Sequence, residues 1–475
     1  MTFEVNKKTV LTAQQTAAAR AAISGDALVM SDAGTGKTTL IKEAAVIFLK
    51  ETQGKGSIVY LSFGEAMNKS AEKMFLGIKV TCKTFHAFAL DAIKNENKKI
   101  TLSKSSDYEK MRMEQLRCDN DFQLKQLVAM CKVYGVNTAE GIRYITDTHF
   151  SHFKNINSVE QNCERYFKAF MKKPDWANVA KISFDDLIYH AGKGHITLPK
   201  YHLTIVDECQ DANAMQWDIA YRTTYNGNAR CGRVFAVGDI KQSIFGFQGA
   251  DHNVMTKKTK QMRVFPLTLS FRCPTEVVAH IKSELKMAFE MQALPEHEGA
   301  IIKTESYTNI KKERSMVLCR TNAPLFKLYC YLYNKGYKVR LNASSNAFWQ
   351  LTAEVKKCHN IAALARSINF MRNDTGDILG SLMEGCASIA DLQQKIALLQ
   401  KGHAGSDAVL LSTVHSAKGL EANHVYILAP EKLGEHRGRN DFERVQELNL
   451  HYVAFSRCKW SAEGCGLYEI WDFLC

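Results

Sequence analysis

The stretch Ser31-Asp-Ala-Gly-Thr-Gly-Lys-Thr38, SDAGTGKT, decides the fold. It follows the short apolar run Ala27 to Met30 and opens a segment with Leu40, Ile41, Ala44, Ala45 and Phe48 at helical spacing. Strand, glycine-containing turn and helix in that order form the context in which backbone amides of Gly34, Thr35 and Gly36 can curl around a phosphate. The helix N-terminus adds its positive dipole end, Lys37 is placed to neutralise β and γ phosphates, and Thr38 to ligate Mg²⁺. Such a site needs a second half that brings carboxylates to the metal and the attacking water. Asp207 and Glu208 supply it, directly after the apolar run LTIV and 170 residues beyond Lys37. Asp207 is read as a metal ligand and Glu208 as the group that orients or deprotonates water.

Working outward, further apolar runs read as buried parallel strands: SIVYLSF (57–63), HLTIVDE (202–208), RVFAVGD (233–239), SMVLCR (315–320), AVLLST (408–413) and HVYIL (424–428). Strands alternating with helices predict an α/β protein with parallel sheets. A helical pattern from Ala13 to Ile23, stopped by Gly25, precedes the first strand. Between about 93 and 198 the pattern turns to charged amphipathic helices with hardly any strand signal, and a shorter helical stretch spans about 354–403. The expected organisation is a first α/β domain over 1–92 and 199–275 carrying an insertion at 93–198. A second follows over 276–353 and 404–475, with a reduced insertion at 354–403.

Composition narrows the class. The 475 residues, 46% of them hydrophobic, suffice for more than one core and exclude a disordered, fibrous or mini-protein chain. Lys plus Arg exceed Asp plus Glu by 62 − 49 = 13, which favours an anionic partner such as nucleic acid. The charge runs KNENKK (94–99) and KKTK (257–260) read as solvated faces. No apolar run approaches the ~20 residues of a membrane span and the first residues lack a signal-peptide core, so an intracellular location is expected. Fourteen cysteines are scattered with no CxxC pair, so thiolate-bound metal is not expected.

The motifs, taken in order, resemble the superfamily 1 helicases of the UvrD, Rep and PcrA type. LTAQQ (11–15) looks like the adenine-reading Q motif, with Gln15 at its Gln position, and SDAGTGKTT is similar to the family's AGxGKT loop, adding Ala33 and Thr39 to the nucleotide-binding set. TFHAFA (84–89), SFDDLI (183–188), IVDECQDANAMQ (205–216), VGDIKQSIFGFQGA (237–250), LSFRCP (269–274), LCRTN (318–322), TVHSAKGLE (413–421) and YVAFSRCK (452–459) complete the series. Their spelling is closer to the F-box DNA helicase branch than to UvrD itself.

The resemblance implies two RecA-like P-loop NTPase domains with helical insertions, ATP and Mg²⁺ as cofactors, and ATP held between the domains. By it Gln242 senses the γ phosphate, Arg272 and Arg457 are arginine fingers, and Glu421 contacts the ribose. Phe63, Phe245 and Phe247 take the base-stacking role, and Thr84, His86, Thr321, Asn322, Thr413 and His415 the backbone role, on single-stranded DNA and ss/ds junctions. The implied activity is 3′ to 5′ translocation with duplex unwinding, by a monomer that works with replication, repair or recombination proteins.

Three departures stand out. The family's WRGA is Phe247-Gln248-Gly249-Ala250, SFGEAMNKSAEKM (62–74) fits TFTNKAAxEM only with three added residues, and only 138 residues separate Thr275 from Thr413. With 18 residues after Arg457, a C-terminal partner-binding tail is not expected. A translocase that strips proteins from single strands with little unwinding, an ATP-switched loading factor, and RNA as the track remain alternative readings.

Overall fold

The computed structural model describes residues 10–471 except 104, 119–120, 151, 245–251, 286–289, 343–344, 372–373, 402–407 and 439–440. The chain divides into two compact units, one of residues up to Ser31 with Gly36–Leu267, the other of Asp32–Thr35 with Thr268–Cys475. No described helix is long and apolar enough to cross a membrane.

The first unit is built on six strands: β1 (Ala27–Ser31), β2 (Ile58–Ser62), β3 (Thr81–Thr84), β4 (Leu203–Val206), β5 (Arg233–Gly238) and β6 (Arg263–Leu267). They pair in the order β6-β1-β5-β4-β2-β3, every pairing parallel. Alternation along the strands sends Leu28, Val59, Leu61, Val206, Val234 and Ala236 to one core. Val29, Ile58, Tyr60, Ile205, Phe235 and Val237 face the other, packed with Ala18, Leu40, Ala44 and Phe48 of the helices Ala13–Ala21 and Lys37–Glu51. Burial on both faces is why the interior strands of this sheet are predominantly apolar, while the edge strands β3 and β6 are partly exposed.

Between β3 and β4 the chain forms the helices Phe85–Glu96, Ser105–Gln115, Phe122–Tyr134, Ala139–His149, Ile156–Phe170 and Phe184–Gly192. Four of them start on side-chain caps: the Thr84 hydroxyl accepts from Ala87 N, Asp121 from Leu124 N, Thr138 from Gly141 N and Ser183 from Asp186 N. The region also holds a short parallel pair, Thr101–Ser103 with Lys181–Ser183, where the sequence pattern suggested almost none. Three-residue strands are too short to display a period of two.

A buried ion network ties these helices together. Asp186 lies 2.8 Å from both Arg112 Nη1 and Lys132 Nζ, Lys132 also pairs with Glu109, and the Tyr166 hydroxyl donates to Glu109 at 3.0 Å. The Lys132 and Asp186 side chains are 2% and 1% exposed, so neither charge has recourse to water.

The second unit repeats the plan with β7 (Ala300–Ile302), β8 (Ser315–Cys319), β9 (Val339–Asn342), β10 (Val409–Thr413), β11 (His424–Leu428) and β12 (Gly466–Ile470). Their order is β7-β12-β11-β8-β10-β9, again wholly parallel. The helices Ser345–Lys356, Ile361–Ile368, Asp374–Met383 and Ile389–Lys401 send Leu351, Leu364, Leu379 and Leu392 into one core with Val317, Val409 and Leu411. The α/β class, with two parallel sheets and helical additions, is therefore as read from the sequence.

Asp186 generates a stability prediction. Burial alone would raise its pKa, but Lys132 and Arg112 hold it below the usual carboxylate range. A lowered folded-state value means that the contribution is complete above the unfolded carboxylate value, about 3.9, and fades as pH falls through the folded one. Asp186→Asn leaves two buried cations short of a counter-charge and is expected to lower stability by about 3–5 kcal/mol at neutral pH. Denaturant unfolding of both proteins at pH 7 and at pH 3 checks this, the difference shrinking at the lower pH.

Candidate nucleotide site and nucleic-acid contacts

Parallel strands deliver functional groups at their carboxyl ends. In the first unit Ser31 closes β1, Asp207 and Glu208 follow β4, and Gly238 closes β5, all three on neighbouring strands. Lys37, the first residue of its helix, lies 3.0 Å from Glu208 Oε1 and 3.1 Å from Oε2. Gly36 caps that helix at φ 79°, ψ 33°, a left-handed conformation that a side chain would strain. Thr38, one residue on, is exposed, and Thr39 is half-buried. Within the loop Ala33 is buried, Gly34 has φ +75°, and Thr35 Oγ1 donates to Asp32 O at 3.0 Å.

The carboxylates are held by a buried polar net. Asp207 Oδ2 accepts from the Tyr60 hydroxyl at 2.8 Å and Oδ1 from Glu208 N–H at 2.8 Å. Gln210 Nε2 donates to Glu208 Oε2 at 2.6 Å while Gln210 Oε1 accepts from Asp239 N–H at 3.0 Å. Gln242 Nε2 in turn donates to Asp239 Oδ2 at 2.8 Å, which links the γ-phosphate-sensing candidate to the water-orienting one through two buried side chains. Gly238 makes that packing possible, since a Cβ there would stand 2.5 Å from Gln210 Oε1 and 2.7 Å from Cys209 Sγ. Glu208 itself sits at φ 49°, a strained value for a residue with a side chain, of the kind that collects at functional sites.

The charges perturb one another. Burial and the neighbouring Glu208 push the Asp207 carboxyl up to about 6, with Lys37, Tyr60 and the Glu208 N–H pulling the other way. Burial would lower the Lys37 ammonium, but Glu208, Asp239 and Asp207 outweigh it and raise it, so Lys37 remains a cation. Tyr60 is raised by burial and by Asp207, and stays a hydrogen-bond donor. The donor set suits Mg²⁺, which takes hard oxygen ligands: the Asp207 carboxylate and the Thr38 hydroxyl.

Gln15 has a local structural role. Its backbone N–H donates to Thr12 Oγ1 and its Oε1 accepts from Thr12 N–H, a capping box that starts the helix Ala13–Ala21.

In the second unit Arg272 Nε donates to Glu421 Oε2 at 2.8 Å, and Lys459 Nζ donates to the other oxygen at 2.6 Å. Arg457, 1% exposed, donates to Val453 O at 3.0 Å, Leu420 O at 3.3 Å and Ser456 Oγ at 3.0 Å. The structure thus brings Arg272 and Glu421 together and turns the Arg457 guanidinium into its own helix end.

The nucleic-acid candidates also gather at strand ends. Phe63 follows β2 and Thr84 closes β3, strands paired through Ser62 and Thr84. Phe63 is half-buried with its ring 5.4 Å from Phe85, and the His86 ring is 5.6 Å from Phe184. Burial lowers the His86 pKa against the pull of Asp185. Thr413 closes β10, paired through it to Cys319 of β8, after which come Thr321 and Asn322. Thr413 Oγ1 donates to Ser416 Oγ at 3.0 Å. Burial and then Arg320 push His415 down to about 4, so it is neutral at pH 7. Phe245 and Phe247 lie outside the described residues. Sequence reasoning missed Tyr60, Gln210 and Asp239. The last two were inside quoted motifs, whereas Tyr60 was hidden in an apolar strand.

The UvrD/REP helicase N-terminal domain family matches residues 11–263. Among curated relatives, F-box DNA helicase 1 of Gallus gallus is 24% identical over 91% of this chain and 46% of its own length. F-box DNA helicase protein 1 of Schizosaccharomyces pombe is 23% identical over 91% and 54%. An ATP-dependent helicase/nuclease from Streptococcus uberis is 40% identical over a shorter stretch, 17% of this chain and 7% of that one. The chain thus spans about half the length of the two F-box relatives. With more than half of its residues inside the matched domain, and the phosphate loop and the Asp207–Glu208 pair among them, the chain belongs to the UvrD/Rep helicase family.

Proposed function

We propose that this chain is an ATP-dependent DNA helicase, a motor that moves 3′ to 5′ on single-stranded DNA and unwinds duplex at ss/ds junctions. The observation that carries the reading is the cluster of Lys37, Asp207 and Glu208, joined to Gln242 through Gln210 and Asp239. A lysine tied to the water-activating carboxylate is a resting arrangement. The β and γ phosphates of ATP compete for the Lys37 ammonium, and Glu208, released from it, orients the water that attacks the γ phosphorus as ADP leaves. Asp207 and Thr38 would hold Mg²⁺, which when bound would supply charge neutralisation on the phosphates. The amides of Ala33 to Thr39 cradle the phosphate oxygens, Gln15 takes the adenine and Glu421 the ribose.

Arg272 and Arg457 are assigned as fingers, each a group of the kind worth about 10³- to 10⁵-fold in rate. Closure of the two domains on ATP and reopening after hydrolysis would alternate the grip of Phe63, Thr84, His86, Thr321, Asn322, Thr413 and His415 on the strand. Sequence-blind contacts of this kind suit a track of any base composition. The likeness to proteins named as DNA helicases supports DNA as the track.

Two measurements test this. Lys37→Ala, folded as judged by circular dichroism, is expected to lose ATP hydrolysis by at least about a hundredfold, as removal of a single preorganised charge-stabilising group does. An unchanged rate sinks the site assignment. Steady-state hydrolysis with and without oligo-dT, followed by unwinding of duplexes with a 3′ or a 5′ single-stranded tail, is expected to show stimulation by the oligonucleotide and unwinding from the 3′ tail only. Stimulation without unwinding replaces the helicase by a protein-displacing translocase, and stimulation by oligo-rU alone replaces DNA by RNA.

A further inference from the structure

Tyr60 is the third residue of β2, a strand whose five residues are all buried and otherwise aliphatic except for Ser62 at its end. It is 2% exposed and faces the core that holds Ile58, Ile205 and Phe235. Packing alone gives no reason for a phenol here, because an unpartnered hydroxyl in such a core is destabilising. The register explains it. Tyr60 pairs with Ile205 of β4, and Asp207 stands two residues further along, about 6.6 Å at the usual strand rise. A tyrosine lying along the strand covers that distance, and Phe75, edge-on with ring centroids 5.7 Å apart, holds the ring in place. The hydroxyl reaches Asp207 Oδ2 at 2.8 Å, and the Glu208 N–H takes Oδ1 at the same distance.

We propose that Tyr60 is a positioning residue for the metal-binding carboxylate, its hydroxyl fixing the plane of Asp207 so that the remaining lone pairs face the Mg²⁺ that accompanies ATP. This rests on the nucleotide-site reading given above. A carboxylate offers about four acceptor positions, so one donor on each oxygen orients it without filling it. Mg²⁺ tolerates little departure from octahedral geometry, and loss of an outer-shell partner typically weakens metal affinity about 10- to 100-fold. Tyr60 touches neither nucleotide nor metal in this scheme. Its effect should therefore appear in metal dependence alone.

The experiment is calorimetric titration of the full chain with ADP in EDTA and then with ADP in excess Mg²⁺, for the wild type and Tyr60→Phe. Metal-free ADP affinity is expected to stay within about twofold, while the tightening by Mg²⁺ shrinks about 10- to 100-fold and half-saturation of the ATPase by Mg²⁺ rises to match. A merely structural role would move both titrations together, and that result, like an unchanged Mg²⁺ dependence, overturns the proposal. Tyr60→Met removes the donor while filling the space with an adaptable side chain. It should reproduce the same selective loss, and keeps the test valid if the phenylalanine variant does not fold. Absence of any Mg²⁺ tightening in the wild type would instead overturn the nucleotide-site reading itself.

Discussion

A parallel sheet covered on both faces can offer chemistry only at the ends of its strands, and both units of this protein are organised by that constraint. The apolar side chains along β1, β2, β4 and β5 pack into one core or the other, and the polar groups of the site stand where those strands stop. Ser31, Asp207 and Gly238 end or follow adjacent strands and therefore converge without any long-range design beyond strand order. The same holds in the second sheet, where Thr413 and the Thr321–Asn322 pair follow neighbours β10 and β8. Strand order decides which motifs, far apart in sequence, become one site.

Convergence has an electrostatic consequence. Two carboxylates, Asp207 and Glu208, and a third from Asp239 share one lysine in a site where Lys37 and Glu208 are only 15% and 23% exposed. Burial and then the neighbouring Glu208 push Asp207 up to about 6, while Glu208, Asp239 and Asp207 together outweigh burial and raise Lys37. The strained backbone at Glu208 and the close approach at Gly238 belong to the same economy of space, since they let Gln210 bridge two carboxylate-bearing loops without water between them.

The fold was legible where burial is two-sided. The seven strands read from apolar runs, among them LTIV, RVFAVG and HVYIL, are all interior ones. Those that escaped notice show why. Arg263–Leu267 is an edge strand with exposed residues and Pro266, which an edge tolerates and a central position would not. Val339–Asn342 and Ala300–Ile302 close the other sheet at its two edges and are short and half-exposed. Gly466–Ile470 is interior, but Glu469, 3.3 Å from His280, and a leading glycine break its apolar run. At the site, Lys37, Asp207 and Glu208 followed from spacing and chemistry alone. Tyr60 could not, because its meaning depends on which strand lies beside it and in what register, and no local pattern encodes that.

The two arginines illustrate how burial separates roles that sequence context makes look alike. Arg272 and Glu421 are 21% and 34% exposed, and a partly exposed pair of this kind contributes about 0–1 kcal/mol net. Such a partner is easily exchanged, and Lys459 already shares the Glu421 carboxylate, so releasing Arg272 leaves no unpaired acid behind. Arg457 is in the opposite position. Its guanidinium is buried against the carbonyls of Val453 and Leu420, and removing it from them would strand acceptors in a dry environment. Arg272 is thus held by a partner that is exchanged at small cost, whereas Arg457 is bound into the turn that carries Leu420 and, one residue on, Glu421.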